Sequence, residues 1–216
     1  INQGGQVMII DHHECELFFD QAIVVNPKTP NDQSELDDLC ATALTFLVLV
    51  YLKNENIFSN IDVLQYLDLV ALATICDLVP LSEINRSFVK QGLKVINSDS
   101  VNNGIQTLIN LSKIKQLISE YHLGYILGPR INAGGRMGES LLGYSLLSSD
   151  NIHQALQLAQ IIESHNQNRQ NIQTKIVKSI NIKESDNKNI NFFFDKQWHI
   201  GIVGIIAGRL MRQNNK

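Results

Sequence analysis

Cysteine is scarce in this 216-residue chain: Cys15, Cys40 and Cys76 are the three present, and no two form a CxxC pair. An odd, widely spaced set of this kind excludes a disulfide framework and a zinc knuckle, and it fits a reducing cytoplasm. Charge of one sign is lacking as well. With 18 Lys and Arg against 21 Asp and Glu the formal net charge is -3, so no global basic field exists, and nucleic-acid binding would have to come from a local patch or from bound cations. Long apolar runs are missing too. Residues 39–52 and 200–210 are the longest, both short of the roughly 20 residues that a membrane span needs. No basic segment followed by an apolar one opens the chain. It begins without Met on Ile1-Asn2-Gln3-Gly4-Gly5 and stops on Gln213-Asn214-Asn215-Lys216, so both ends are expected to be cuts in something longer.

What is present starts with Val7-Met8-Ile9-Ile10-Asp11-His12-His13. A short run of strand formers ends abruptly in a carboxylate and two imidazoles, which places three metal-binding or proton-handling groups where a buried strand emerges. A single Asp or His there would only terminate a strand; three in a row point to chemistry. Residues 22–25 read as a second strand closed by Asn26-Pro27. After a polar loop, Ser34 or an earlier Asn is expected to cap a helix whose first turn carries Glu35, Asp37 and Asp38, and which continues through Leu39, Ala43, Phe46, Leu47 and Val50.

A second buried helix, from about Asp62 to before Pro80, ends at Asp77 behind an apolar run. A buried unpaired carboxylate costs several kcal/mol, so Asp77 is expected to meet a cation, N–H donors or a helix terminus. Residues 97–119 show no chemistry. Then comes Gly128-Pro129-Arg130-Ile131-Asn132-Ala133-Gly134-Gly135-Arg136, which matches neither the P-loop nor the dinucleotide fingerprint. Its glycines and its two arginine forks suit a loop that touches phosphate. From Asn151 a helix of about 30 residues is expected, apolar at both ends, with a polar middle at residues 165–171 crossing a solvent gap. His165 and Arg169 share one face there and could touch a polyanion. A polar turn at residues 183–189 and a strand at residues 190–194 then open a second domain. In Trp198-His199-Ile200-Gly201 and onward, Gly201, Gly204 and Gly208 thin one helix face, and His199 stands at the helix entrance, where free N–H groups favour anions.

Asp11-His12-His13, the Ala73-Thr74-Ile75-Cys76-Asp77-Leu78-Val79-Pro80-Leu81 segment, the arginine-bracketed glycine run and the Trp-His-Ile-Gly-Ile-Val-Gly-Ile-Ile-Ala-Gly-Arg-Leu run occur in this order. Together they resemble the DHH phosphoesterase superfamily and, within it, the RecJ family of 5′-to-3′ exonucleases specific for single-stranded DNA. The resemblance implies an α/β fold. A parallel-sheet DHH domain, present in its C-terminal part, would cover residues 1–148, a long connector helix residues 149–184, and the start of a second α/β domain, DHHA1-like, residues 185–216.

It also implies roles. His12 and Asp77 would be ligands of a two-metal centre holding Mn²⁺ or Mg²⁺, with Asp11 an acidic member of the same site. His13 would contact the scissile phosphate. Arg130, Asn132 and Arg136 would hold substrate phosphates, while His199 and Gly201 would lie in the second domain. Single-stranded DNA is the implied partner, along with a single-strand-binding protein and a helicase, for a cytoplasmic protein of DNA repair and recombination. The family's Asp-x-Asp element and a further Asp, which normally precede the Asp-His-His strand, have no counterpart here, so the fragment itself is expected to be inert. A DHH phosphodiesterase for short oligonucleotides or cyclic dinucleotides is the alternative, and a non-catalytic nucleic-acid-binding subunit is the third reading.

Overall fold

The computed structural model describes residues 4–15, 22–30, 32–180 and 190–214. The chain forms two compact units, Ile1–Gly128 and Pro129–Lys216. In the first, Met8–Ile10 (β1) and Ile23–Val25 (β2) pair in parallel, with Met8 opposite Ile23 and Ile10 opposite Val25. Long and β-branched apolar residues favour such a pleated pairing, and the fold is mixed α/β as expected. The ladder continues one residue past β1, where the Asp11 N–H donates to Val25 O at 3.1 Å. His12 and His13 therefore stand just beyond the last rung.

The first helix, Ala41–Asn54 (α1), begins later than the acidic cluster suggests. Glu35 has φ 57°, a left-handed conformation that a helix cannot contain. The Asp38 carbonyl accepts from Asn85 Nδ2 at 2.9 Å, and Leu39 and Cys40 enter the core ahead of the helix, Cys40 in extended backbone. Burial of that pair outweighs the dipole preference of the three acids. Next, Asp62 Oδ1 accepts the Leu64 N–H at 3.1 Å and starts a 3-10 turn, Val63–Tyr66, which passes into Leu67–Cys76 (α2).

Helix α2 is apolar nearly all round because it packs on α1 and on Glu83–Ile96 (α3). Contact with α3 is backbone-close: a Cβ at Gly92 would lie 2.1 Å from Leu67 O and 2.4 Å from Ala71 Cβ. Phe46 and Phe88 meet edge to face beside Leu44, Val63 and Val70. Fully buried Asn85 closes the turn after α2 by donating to Pro80 O at 2.8 Å. Asn102 caps Asn103–Leu111 (α4), accepting from the Gly104 and Ile105 N–H groups. Glu120–His122 (α5) and a π turn, Leu123–Leu127, complete the unit. Gly128 is required at its end, since a Cβ there would come within 2.4 Å of Cys76 Sγ.

Gly128–Arg136 (α6) starts on the last residue of the first unit; the second unit contains the rest of it with Leu142–Leu147 (α7), Ile152–Ser179 (α8) and Ile200–Asn214 (α9). The arginine-bracketed glycine run is thus a helix and not the expected loop. Pro129 is tolerated in its first turn, where an N–H has no intrahelical partner. Gly134 lets the chain fold back, since a Cβ there would stand 2.7 Å from Glu139 O, and Gly138 takes φ 94° in the turn that follows.

Asn151 Oδ1 accepts the His153 N–H at 2.9 Å and starts α8. The polar middle of α8 does not cross a solvent gap. Its buried residues are Ala155, Ala159, Ile162, Asn166, Arg169 and Ile176, a seam at spacings of four and three that runs straight through the polar segment. Residues 190–194 alternate in burial, but they form no strand with any described residue. Ile190, Phe192 and Phe194 face outward while Phe193 packs with Trp198 on the core of Ile176, Ile202, Ile206 and Leu210. The expected turn at residues 183–189 lies outside the described residues. Among the described residues no helix is long and apolar enough to cross a membrane.

Candidate metal centre

Asp11, His12 and His13 each present a ligand atom, all within 4.8 Å of one another. The last rung of the sheet fixes Asp11. Its Oδ1 accepts from His13 Nδ1 at 2.7 Å and from the His12 N–H at 2.8 Å. The His13 side chain, and then the His12 backbone, hold the Asp11 carboxyl below the usual carboxylate range. A carboxylate only accepts, so His13 donates from Nδ1 in this pair, and Nε2 is the ring nitrogen that remains. Asn26, buried at the exit of β2, donates from Nδ2 to His13 O at 2.9 Å. This residue ties the two strand ends together; sequence reasoning finds in it only a strand terminator.

Asp77 follows the last residue of α2, where a carboxylate faces the negative end of the helix dipole. Capping therefore gives no reason for it. Its partner is His12, with Nε2 3.1 Å from Oδ2. The Asp77 side chain is 48% exposed, so the expectation that burial forces it onto a partner does not hold. Leu78 next to it has φ 56°, which turns the chain sharply after the acid.

The acid of α2 that is buried is Asp68, which sequence reasoning missed. It accepts from the Asn102 N–H at 2.7 Å and the Leu69 N–H at 2.6 Å. Burial raises its pKa despite those bonds. Its role is to hold the start of α4.

The donor set fits a hard divalent ion. Two neighbouring ligands on an octahedral ion with bonds near 2.0–2.1 Å lie about 3 Å apart, which is the His12 to Asp77 separation of 3.1 Å. Carboxylate and imidazole donors suit Mn²⁺ or Mg²⁺. Cys76, the nearest sulfur in sequence, instead donates to Leu123 O at 3.7 Å.

In the second unit, Arg130 Nε donates to Glu163 Oε2 at 2.7 Å and Arg136 Nη1 donates to Gly201 O at 3.1 Å. Asn132 is exposed on α6. Arg169 is buried, and burial, then the charges of Arg136 and Arg130, pull its pKa down. Three arginines are therefore within electrostatic reach of one another. His165 pairs with Glu139 at 3.1 Å. His199 Nδ1 accepts the Gly201 N–H at 3.2 Å, so one N–H at the start of α9 is already engaged. Gly201 is a close-packing position: a Cβ there would stand 2.4 Å from Arg136 O.

No family profile matches the chain. Individual relatives do. The single-stranded-DNA-specific exonuclease RecJ of Salmonella typhimurium is 29% identical over 96% of this chain and 39% of its own length. RecJ of Bacillus subtilis is 32% identical over 96% of this chain and 26% of its own length. The chain thus spans 39% or less of these relatives. The crystal structure of RecJ from Thermus thermophilus in complex with Mn²⁺ has a TM-score of 0.86 at 27% identity, covering 100% of this chain and 32% of that one. The Mg²⁺ complex of the same protein has a TM-score of 0.78 at 27% identity, covering 99% of this chain and 32% of that one. Over nearly its whole length the chain is thus similar to RecJ in sequence, and it is alike in fold to RecJ structures that hold Mn²⁺ or Mg²⁺.

Proposed function

We propose that this chain is part of a metal-dependent exonuclease that hydrolyses the phosphodiester bonds of single-stranded DNA from the 5′ end, in cytoplasmic DNA repair and recombination. The observation that supports it best is the approach of His12 Nε2 to Asp77 Oδ2 at 3.1 Å, with Asp11 beside His12 in the same ligand cluster. These three would hold the ion. When bound, Mn²⁺ or Mg²⁺ supplies a water of lowered pKa and neutralises charge on phosphoryl oxygens.

The chain's own groups do the rest. Asp11, held ionised by the His12 and His13 donors, contributes a negative ligand at neutral pH. His13 spends Nδ1–H on Asp11 and is exposed, so its Nε2 is the atom left to meet the scissile phosphate. Arg130, Asn132, Arg136 and Arg169 contact further phosphates, with Arg130 aimed by Glu163. His199 and Gly201 belong to a DHHA1-like domain that follows the α8 connector, and His199 serves it by capping α9. A single-strand-binding protein and a helicase complete the proposal as partners.

The test is digestion of a long 5′-phosphorylated single strand and of a dinucleotide by the intact parent protein with Mn²⁺. Degradation of the long strand, falling by at least about a hundredfold in His12→Ala, is expected, since losing one ligand typically costs metal affinity and activity at that scale or more. Preference for the dinucleotide would replace this reading by the small-substrate phosphodiesterase. Among its described residues the 216-residue chain alone offers two ions only four side-chain donors here, Asp11, His12, His13 and Asp77, and it is expected to be inert. Metal-dependent digestion by it would overturn that.

A further inference from the structure

His13 has one ring nitrogen to place accurately, and packing gives it little help. Its side chain is 77% exposed, and the ring leans on the tilted ring of His12 at a centroid distance of 4.6 Å. A side chain that must keep a productive geometry is normally locked by the groups around it. Here hydrogen bonds take that part. Asp11 Oδ1 holds the ring through Nδ1 at 2.7 Å. The main chain of His13 lies beyond the sheet, two residues past the last rung from the Asp11 N–H to Val25 O. It needs an anchor of its own.

Asn26 supplies that anchor. It follows Val25 directly, is 4% exposed, and donates from Nδ2 to His13 O at 2.9 Å, so its side chain acts as one more rung where the backbone ladder has stopped. The residue is rigid for reasons written in the sequence. Pro27 after it confines it to extended backbone. Its Oδ1 accepts the Lys28 N–H at 3.0 Å, the turn that an asparagine side chain forms with the N–H two residues on. Its carbonyl accepts from the Thr29 N–H at 3.2 Å and from Thr29 Oγ1 at 3.0 Å. A carboxamide carries an acceptor and a donor on one plane, so Asn26 grips the turn with Oδ1 and reaches the His13 carbonyl with Nδ2.

We propose that Asn26 is a positioning residue of the candidate metal centre. By fixing the His13 main chain from a rigid turn it completes the hold that Asp11 has on the ring, and the two together aim His13 Nε2. The task of that nitrogen, contact with the scissile phosphate, rests on the nuclease reading above; the hold of Asn26 on His13 does not. Small displacements of a group that meets the reacting atoms are costly in rate, which gives a buried asparagine outside the ligand set a measurable part in the chemistry.

The experiment uses the intact parent protein and Asn26→Asp, which is nearly isosteric, keeps an acceptor for the Lys28 N–H and removes the donor to His13 O. Nitrogen NMR of the labelled histidine rings, recorded in EDTA at a pH that leaves them neutral, reports which nitrogen carries the proton; the His13 signals are those lost in His13→Ala. Wild type is expected to show His13 protonated on Nδ1, and Asn26→Asp to lose that preference. With Mn²⁺, digestion of a single strand by Asn26→Asp is expected to fall roughly 10–100-fold in kcat. KM should stay where it was, as for an interaction made in the transition state. Added to His13→Ala, the same change is expected to alter kcat by less than about twofold, since a residue that acts through a ring has nothing to act on once the ring is gone. Added charge that repels DNA, or a loosened strand pair, would lower kcat equally in both backgrounds. That result would overturn the proposal, as would an unchanged His13 spectrum. Should Asn26→Asp not fold, Asn26→Ser, too short to span both contacts, carries the same comparisons. A wild type that digests nothing would sink the nuclease reading, and the spectra in EDTA would still decide whether Asn26 holds His13.

Discussion

Asp68 accepts two backbone N–H groups and yet titrates high, because removal from water opposes its charged form more than those bonds favour it. Its folded pKa lies above the ordinary 3.8, so the folded state binds this proton more tightly than the unfolded chain does. The stability gained from that proton is complete below the unfolded value and is lost as the pH rises through the folded one. Asp68→Ala leaves the Asn102 and Leu69 N–H groups without their acceptor and is expected to cost roughly 1–3 kcal/mol. Urea unfolding across the acid range should show the gap between wild type and variant narrowing as the pH rises. A gap that widens instead would mean that the two N–H bonds outweigh burial.

At the scale of elements, the contact that carries Asp77 is the one between α2 and α3. Gly92→Ala would drive a methyl group into Leu67 O and Ala71 Cβ. Such overpacking against backbone is expected to cost about 3 kcal/mol, read as a lower urea midpoint, and to weaken Mn²⁺ binding with it, because α2 sets where Asp77 stands relative to His12. An unchanged midpoint would show that the two helices part easily.

The same elements show what the sequence could disclose. β1, α2 and α8 are readable because their apolar periodicity is long or ends sharply, and Asp11-His12-His13 and Asp77 emerge as candidate metal residues on that basis together with the family resemblance. Composition misleads at Gly128–Arg136, where glycine suggests a loop but the chain is a helix whose Gly128 and Gly134 positions leave no room for a side chain. It misleads again in the middle of α8, since periodicity counts Asn166 and Arg169 as polar and has no means of seeing that they occupy the buried seam. Asn26 and Glu163 escape notice because each acts on a residue far away in sequence, His13 and Arg130 respectively.

For the molecule as a whole, a net charge of -3 leaves attraction for a polyanion to local groups. Counter-ion release makes such binding fall with salt in proportion to the phosphates neutralised. Arg136→Ala should therefore lower the slope of log affinity against log salt by about 0.7 for a single strand, measured by fluorescence anisotropy with a labelled oligonucleotide in EDTA. An identical slope would remove Arg136 from the phosphate contacts.

The packing of Gly128 against Cys76 has a consequence for the choice of ion. Burial first, and then the neighbouring charge of Asp77, push the Cys76 thiol up to about 11. At neutral pH the sulfur thus stays protonated, one residue from a candidate ligand. Thiophilic ions such as cadmium find no sulfur anion there, and alkylating or oxidising reagents find a poor nucleophile. A glycine that makes room for a sulfur atom in this way keeps the thiol beside Asp77 out of the donor set.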